Sequence, residues 1–135
     1  MIVLNEQLPD KDEYFSLFNT TGWNIQYKAS AEDLERANRS SWLVVSAYDG
    51  DRLVGFGRVV TDFVLHAMIF DMIVLPEYQG RGIGTLILTR LVDRCLEQGI
   101  RDIQLFCARG KRRFYERNGF EARAEDAPGM QYKKT

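Results

Sequence analysis

The sequence predicts a mixed α/β domain, an α/β (α+β) fold with a central, twisted, mixed sheet flanked by helices. Three observations predict it. Two β-rich runs, "SWLVVSAY" and "RLVGFGRVV", flank an Asp-Gly dipeptide, which is a hairpin signal. The apolar run "AMIFDMIVL" stops at Pro76 and leads through a glycine-rich turn into a helical stripe. A further run, "IRDIQLFCA", precedes a short helical segment, so the second half alternates strand, helix, strand, helix.

The elements follow in order. "PDKDEYFSLFNTTGW" predicts a helix over 11–19 that ends near Gly22. "SAEDLERANRSS" predicts a second helix. Ser30 is its N-cap, Asp33 stands three residues on, and Leu34 and Ala37 share a face. The hairpin turns at Asp49-Gly50. A third strand over 67–75 follows a turn at Thr61-Asp62, and Pro76 ends its ladder by removing a donor. The main helix opens in the glycine turn and runs to about Gln98. Ile83, Ile87, Leu91 and Cys95 form its apolar stripe, widened by Leu88 and Val92, and Gly99 is a cap candidate. "GKRRFYERNGF" predicts a short helix closed by Asn118-Gly119. The tail offers one more strand at 130–132.

With 135 residues the chain makes one domain, 1–135, large enough for a core without metals or disulfides. The composition is 45% apolar and 27% charged, ordinary for a globular protein. A net charge of −1 gives no sign of a nucleic-acid or anionic-membrane partner. The apolar runs are far shorter than a membrane span of ~20 residues. The N-terminus lacks a basic segment and turns acidic, unlike a signal peptide, so a cytoplasmic location is expected. Cys95 on the apolar stripe reads as a reduced core thiol. A single histidine, His66, excludes a multi-histidine metal site and weakens a Ser-His-Asp reading.

The stretch "QGRGIG" at 79–84 is the chemical centre of the sequence. A helix opening at a strand's end offers free N–H groups and a positive dipole end, and glycines let an anion approach that backbone. Arg81 adds a charge and Thr85 a hydroxyl. The loop is not a Walker A loop, because Thr85 and Leu86 stand where Lys-Ser or Lys-Thr is needed. It is not a dinucleotide fingerprint either, because Thr85 replaces the third small residue.

"VLPEYQGRGIGTLIL" resembles the acetyl-CoA loop of the GCN5-related N-acetyltransferases, with Gln79, Gly82 and Gly84 in the family's Gln/Arg-x-x-Gly-x-Gly/Ala positions. "FYERNGFE" at 114–121 resembles the second hallmark of that family, a short helix carrying a Tyr and closed by Gly-Phe. Residues 40–133 as a whole resemble a subgroup from bacteria and plastids that includes the plant serotonin N-acetyltransferases.

The resemblance implies a three-layer fold with acetyl-CoA wedged where two central parallel strands splay, and no metal. It implies cofactor contacts from Met72, Ile73 and Val74, whose backbone N–H groups would supply the oxyanion donor, and from Gln79, Gly80, Arg81, Gly82, Ile83, Gly84 and Thr85. It makes Tyr115 the general acid for the thiolate. Ala108 departs from the pattern, because many relatives carry a cofactor-contacting Asn before this Tyr.

Asp71, a carboxylate inside "MIFDMIV", needs a partner or a polar cleft. It is the candidate to take the amine proton or attract the ammonium. Lys111, Arg112 and Arg113 are either 3′-phosphate contacts or the wet face of a helix. The expected acceptor is a primary amine, a small arylalkylamine first. Trp23, Tyr27, Trp42 and Phe63 offer an aromatic wall, and Asp62 or Asp71 a carboxylate. The alternatives are a protein lysine or a non-catalytic acyl-CoA-binding module. The subgroup also suggests a homodimer.

Overall fold

The computed structural model describes residues 1–134. They fall into two compact units, Met1–Leu105 and a C-terminal unit beginning at Phe106.

The first unit holds β1 (Ile2–Asn5), α1 (Lys11–Asn19), α2 (Asn24–Tyr27), α3 (Ala31–Arg39), β2 (Leu43–Asp49), β3 (Arg52–Thr61), β4 (His66–Val74), α4 (Ile83–Glu97) and β5 (Asp102–Leu105). A 3-10 turn, Pro76–Tyr78, links β4 to the glycine loop. The sheet order is β1-β2-β3-β4-β5. The first three pairings are antiparallel, and β4 with β5 is parallel, so the sheet is mixed as expected.

Local chemistry explains the helix starts. The Asp10 carboxylate accepts the N–H groups of Asp12 and Glu13 at 3.2 and 3.0 Å and caps α1. Ser30 and Asp33 form a reciprocal capping box on α3, each bond 3.0 Å long.

The sheet alternates its faces, as a pleat must. Phe56 meets the Tyr14 ring of α1 at 4.5 Å, and Arg58 reaches Ala37 and Ser41 at the end of α3. Gly55 and Gly57 face the other way, under Ile83, Ile87 and Leu91 of α4. Helices thus cover both faces of the sheet. The stripe Ile83, Ile87, Leu88, Leu91 and Cys95 is buried, each large aliphatic burial contributing about 1.5–3 kcal/mol.

Four expectations need correction. The two-residue hairpin loop is Gly50-Asp51, because Asp49 pairs with Arg52 and Gly50 takes the positive φ of +61° that such a turn places on its first residue. The strand β1 and the short helix α2 were not expected. The parallel pair is β4 with β5, and β5 lies at the edge of the described sheet rather than in its centre. Residues 130–132 form no strand: Met130 and Tyr132 lie exposed, with no apolar face to bury.

In the C-terminal unit, α5 (Arg112–Arg117) ends in a Schellman motif. The N–H of Phe120 bonds to Tyr115 O at 3.0 Å and that of Gly119 to Glu116 O at 3.4 Å. This motif requires the left-handed φ of +92° at Gly119.

Candidate active site

The site begins with an irregularity in β4. Phe56 pairs with Ile73 and Arg58 with Phe70, so Asp71 and Met72 together oppose Gly57 alone. This is a β-bulge, and its first residue, Asp71, is left-handed with φ +57°. Pairing with β5 runs from His66 to Ile69 and ends at Leu105. Phe70–Val74 therefore have no strand partner on that side among the described residues. The backbone groups of this stretch that point to that side have no strand to bond, and the Val74 carbonyl accepts the Gln79 side chain instead.

Asp71 has the partner its surroundings demand. Arg58 Nε donates to its Oδ2 at 2.8 Å. The same guanidinium donates from Nη1 to Ser41 Oγ at 3.1 Å and lies over the Phe70 ring. The sequence signals this pair by two opposite charges, each set in an apolar strand run, on consecutive strands.

After β4 the chain turns at Pro76. Tyr78 donates its hydroxyl to Asp49 Oδ2 at 2.6 Å, and Glu77 pairs with Arg52 at 2.9 Å. Glu77 remains exposed to solvent within this pair, and Tyr78 is half-buried. The Gln79 side-chain amide donates to Val74 O at 3.0 Å. Arg81 turns back, donating to Glu77 O at 3.1 Å with its guanidinium over the Tyr78 ring.

Gly80 and Gly82 hold φ values of +79° and +81°, which an L side chain resists, and the space where a Cβ would stand is open. Gly82 is the N-cap of α4, and no side chain caps that helix. Its first N–H groups, at Ile83, Gly84 and Thr85, lack intrahelical acceptors by geometry. Ile83 buries its side chain and offers only its backbone, while Thr85 is exposed. An uncapped N-terminus under two left-handed glycines fits a pyrophosphate, and the open β4 edge fits an amide-bearing chain.

In the C-terminal unit, Tyr115 is buried between the rings of Phe114 and Phe120, 5.0 and 6.0 Å away. Burial pushes its hydroxyl up to about 12, with a smaller push from Cys107. Arg112 pairs with Glu116 at 3.2 Å, and Lys111, Arg112 and Arg113 are exposed.

The remaining candidates separate. Asp62 Oδ1 accepts three backbone N–H groups, from Val64, Leu65 and His66, which hold its carboxyl below the usual range and shape the β3–β4 turn. His66 is exposed, with Nδ1 3.4 Å from Asp102. The proposed aromatic wall splits into pairs: Trp23 and Tyr27 pack near Phe18, and Trp42 meets Phe63 at 5.3 Å. Cys95 is buried and Cys107 exposed. Among the described residues there is no cluster of metal-ligating side chains, and no helix is long and apolar enough to cross a membrane.

A bulged strand, a left-handed glycine turn and an uncapped helix together make one strand–loop–helix unit. The chain belongs to the acetyltransferase (GNAT) family, whose model matches residues 8–120. These are transferases, and acetyl-CoA is the donor the family uses.

The chain is 39% identical over 79 residues to the chloroplastic GCN5-related N-acetyltransferase 2 of Arabidopsis thaliana, covering 58% of this chain and 31% of that protein. It is 30% identical over 126 residues to the histone acetyltransferase TAP1 of Glycine max, covering 85% and 53%. It thus spans about a third to a half of those relatives.

Among solved structures, a probable acetyltransferase from Staphylococcus aureus superposes with a TM-score of 0.86 at 26% identity, covering 99% and 100% of the two chains. A GNAT-family acetyltransferase from Streptococcus pneumoniae gives 0.81 at 29%, covering 99% and 98%.

Proposed function

We propose that this chain is an acetyl-CoA-dependent N-acetyltransferase acting on a primary amine, with a small arylalkylamine as the first candidate. The observation that carries the reading is the uncapped N-terminus of α4 beneath Gly80 and Gly82. Its N–H groups would receive the pyrophosphate, with Arg81 and Thr85 at the rim. The open backbone of Met72, Ile73 and Val74 would receive the pantetheine amides and, in the transition state, the thioester oxyanion. Each well-aimed donor contributes about 3 kcal/mol there. Gln79 would keep loop and strand together.

The amine attacks the carbonyl carbon as a neutral base, so an ammonium of pKa ~10 must first lose a proton. Asp71 is the candidate to hold that ammonium and pass its proton to water. Its pairing with Arg58 holds the carboxylate in place and suits it to orient the ammonium. The C–S bond breaks as the amide forms, Tyr115 gives its proton to the departing thiolate, and the proton that the nitrogen sheds on becoming an amide returns through water to the Tyr115 phenolate. We treat the two units as parts of one domain, because the family model runs across residue 105. Cytoplasmic location and a homodimer belong to the same reading. Light scattering of the purified chain tests the dimer.

The soybean relative named a histone acetyltransferase gives a second reading, transfer to a protein lysine. One assay separates the two: free-thiol release from acetyl-CoA with tryptamine, serotonin, tyramine, spermidine and a lysine peptide. Saturable release with the aryl amines supports the first reading. Release with the peptide alone supports the second. Silence throughout, with acetyl-CoA still raising the melting temperature, leaves a binding module.

A further inference from the structure

Asp71 is the one non-glycine residue that holds a positive φ inside a strand of the described chain; Lys28 and Phe63, the others with positive φ, lie in a helix cap and a turn. A left-handed residue in mid-strand is strained unless its surroundings fix it. Aspartate reaches that conformation more readily than most side chains, but the strand itself does not favour it.

The surroundings here are specific. Arg58 stands on β3 beside the bulge, with Nε 2.8 Å from Asp71 Oδ2. Its Nη1 is held by Ser41 Oγ at 3.1 Å and Ala37 O at 3.4 Å, at the C-terminal end of α3. The two side chains are 16% and 24% exposed, so water and salt screen the pair less than a surface one. On the opposite face Gly57 has no side chain. A Cβ there would lie 2.8 Å from both Met72 Sδ and Leu91 Cδ1, so these groups occupy the space. The bulge is gripped on both sides, Asp71 through Arg58 against α3 and Met72 over Gly57 against α4.

We propose that Arg58 is a positioning residue for acyl transfer. By holding Asp71 left-handed it fixes the bulge, and with it the direction of the Met72–Val74 backbone donors that meet the thioester. This rests on reading the β4 edge as the thioester's cradle. Arg58 itself touches no reacting atom and acts through Asp71 alone.

The test is a double-mutant cycle with two readouts. Glycine adopts positive φ without a clamp. Arg58→Gln in the native background should therefore lower kcat by on the order of ten- to a hundredfold, with little change in the acetyl-CoA KM. In the Asp71→Gly background the same change should cost less than about threefold, whatever baseline Asp71→Gly sets. Arg58→Lys should recover part of the loss, because an ammonium reaches Asp71 but cannot hold Asp71, Ser41 and Ala37 in one plane.

The second readout is hydrogen exchange of the 71–74 amides, which needs no activity. Arg58→Gln should speed it in the native background and leave it unchanged in the Asp71→Gly background. An equal kcat loss in both backgrounds, or unchanged exchange beside a shifted pH profile, would overturn the proposal. If the native chain turned over no acceptor, the proposed function would fail, and the exchange data would still decide whether Arg58 holds the bulge. If Arg58→Gln did not fold, the clamp requires Arg58→Gln/Asp71→Gly to fold, and its failure would sink the idea.

Discussion

The side-chain amide of Gln79 donates to the carbonyl of Val74 at 3.0 Å. The loop's first polar residue is thereby tied to the last residue of the strand before it. Gln79 was expected to touch the cofactor, yet its protein partner is the strand that carries the other cofactor candidates. The bond fixes the angle between the open β4 edge and the start of α4.

Gln79→Ala should therefore loosen the loop without unfolding the protein, because the bond is exposed and worth about 1 kcal/mol. The acetyl-CoA KM should rise several-fold with the melting temperature nearly constant. Gln79→Glu should be worse than Ala, since a carboxylate cannot donate and would face the Val74 oxygen. Steady-state kinetics with acetyl-CoA varied checks the order. An Ala variant with native KM would remove the hinge role from Gln79.

Tyr78 and Asp49 make a second tie, from the 3-10 turn to the end of β2. The Tyr78 hydroxyl is the main reason the Asp49 carboxyl sits below its ordinary value. A depressed carboxyl stabilises the fold above its unfolded pKa, near ~4, and that contribution fades as pH falls through the lower folded value. Tyr78→Phe keeps the ring under Arg52 and Arg81 but loses the bond. The melting temperature of the native chain should exceed that of Tyr78→Phe at pH 6, and the gap should narrow below about pH 4. A gap independent of pH would mean that the bond does not set the Asp49 titration.

These ties mark how far the sequence could be read. The Ser30–Asp33 box was legible because it is written within four residues and obeys local geometry. The α4 stripe was legible because burial repeats with the helical period. The strand β1 was not, because four residues at a chain end carry no measurable alternation and gain their strand form only by pairing with β2. The Asp71 bulge was half legible. A carboxylate in an apolar run announced a partner, but its left-handed backbone depends on β3 and is absent from any local pattern. Gln79 was placed correctly in the loop, while its bond to Val74 belongs to three-dimensional closure.

Gly55 sits between β4 and α4 with no room to spare. An added Cβ would meet Ile87 Cδ1 at 2.8 Å, Ile83 Cγ2 at 3.3 Å and, less yieldingly, the Ile73 carbonyl oxygen at 3.2 Å. Gly55→Ala should cost about 1–3 kcal/mol as overpacking. Because one of the displaced atoms is backbone of the candidate donor strand, kcat should fall as well. Gly57→Ala meets side chains alone, Leu91 Cδ1 and Met72 Sδ at 2.8 Å and Ile87 Cγ2 at 3.1 Å, so with no backbone atom to displace it should cost less stability, although it presses on the Met72 that grips the bulge. Thermal melts and turnover of both variants test the ranking. A Gly55→Ala variant as active as the native chain would argue against Ile73 as part of the cradle.

Tyr115 allows a prediction on the alkaline side. Burial, aided by Cys107, pushes its hydroxyl up to about 12. The phenol therefore stays protonated through the range in which an amine of pKa ~10 becomes neutral. The rate at subsaturating amine should climb with pH up to about 10, with no downturn from Tyr115 in that range. Tyr115→Phe should lower kcat by about a hundredfold, the low end for a general acid, because a thiolate is a good leaving group. The form of the pH profile should survive the substitution, since the group removed does not titrate in the window. A raised folded pKa contributes stability that is fully present below the unfolded value of about 10 and is lost as pH rises through the folded value, so the native chain should weaken more steeply than Tyr115→Phe between pH 10 and 12. A downturn near pH 10 that disappears in Tyr115→Phe would mean that the hydroxyl titrates as a water-exposed phenol rather than a buried one, and a native kcat in Tyr115→Phe would assign the thiolate's proton to another donor.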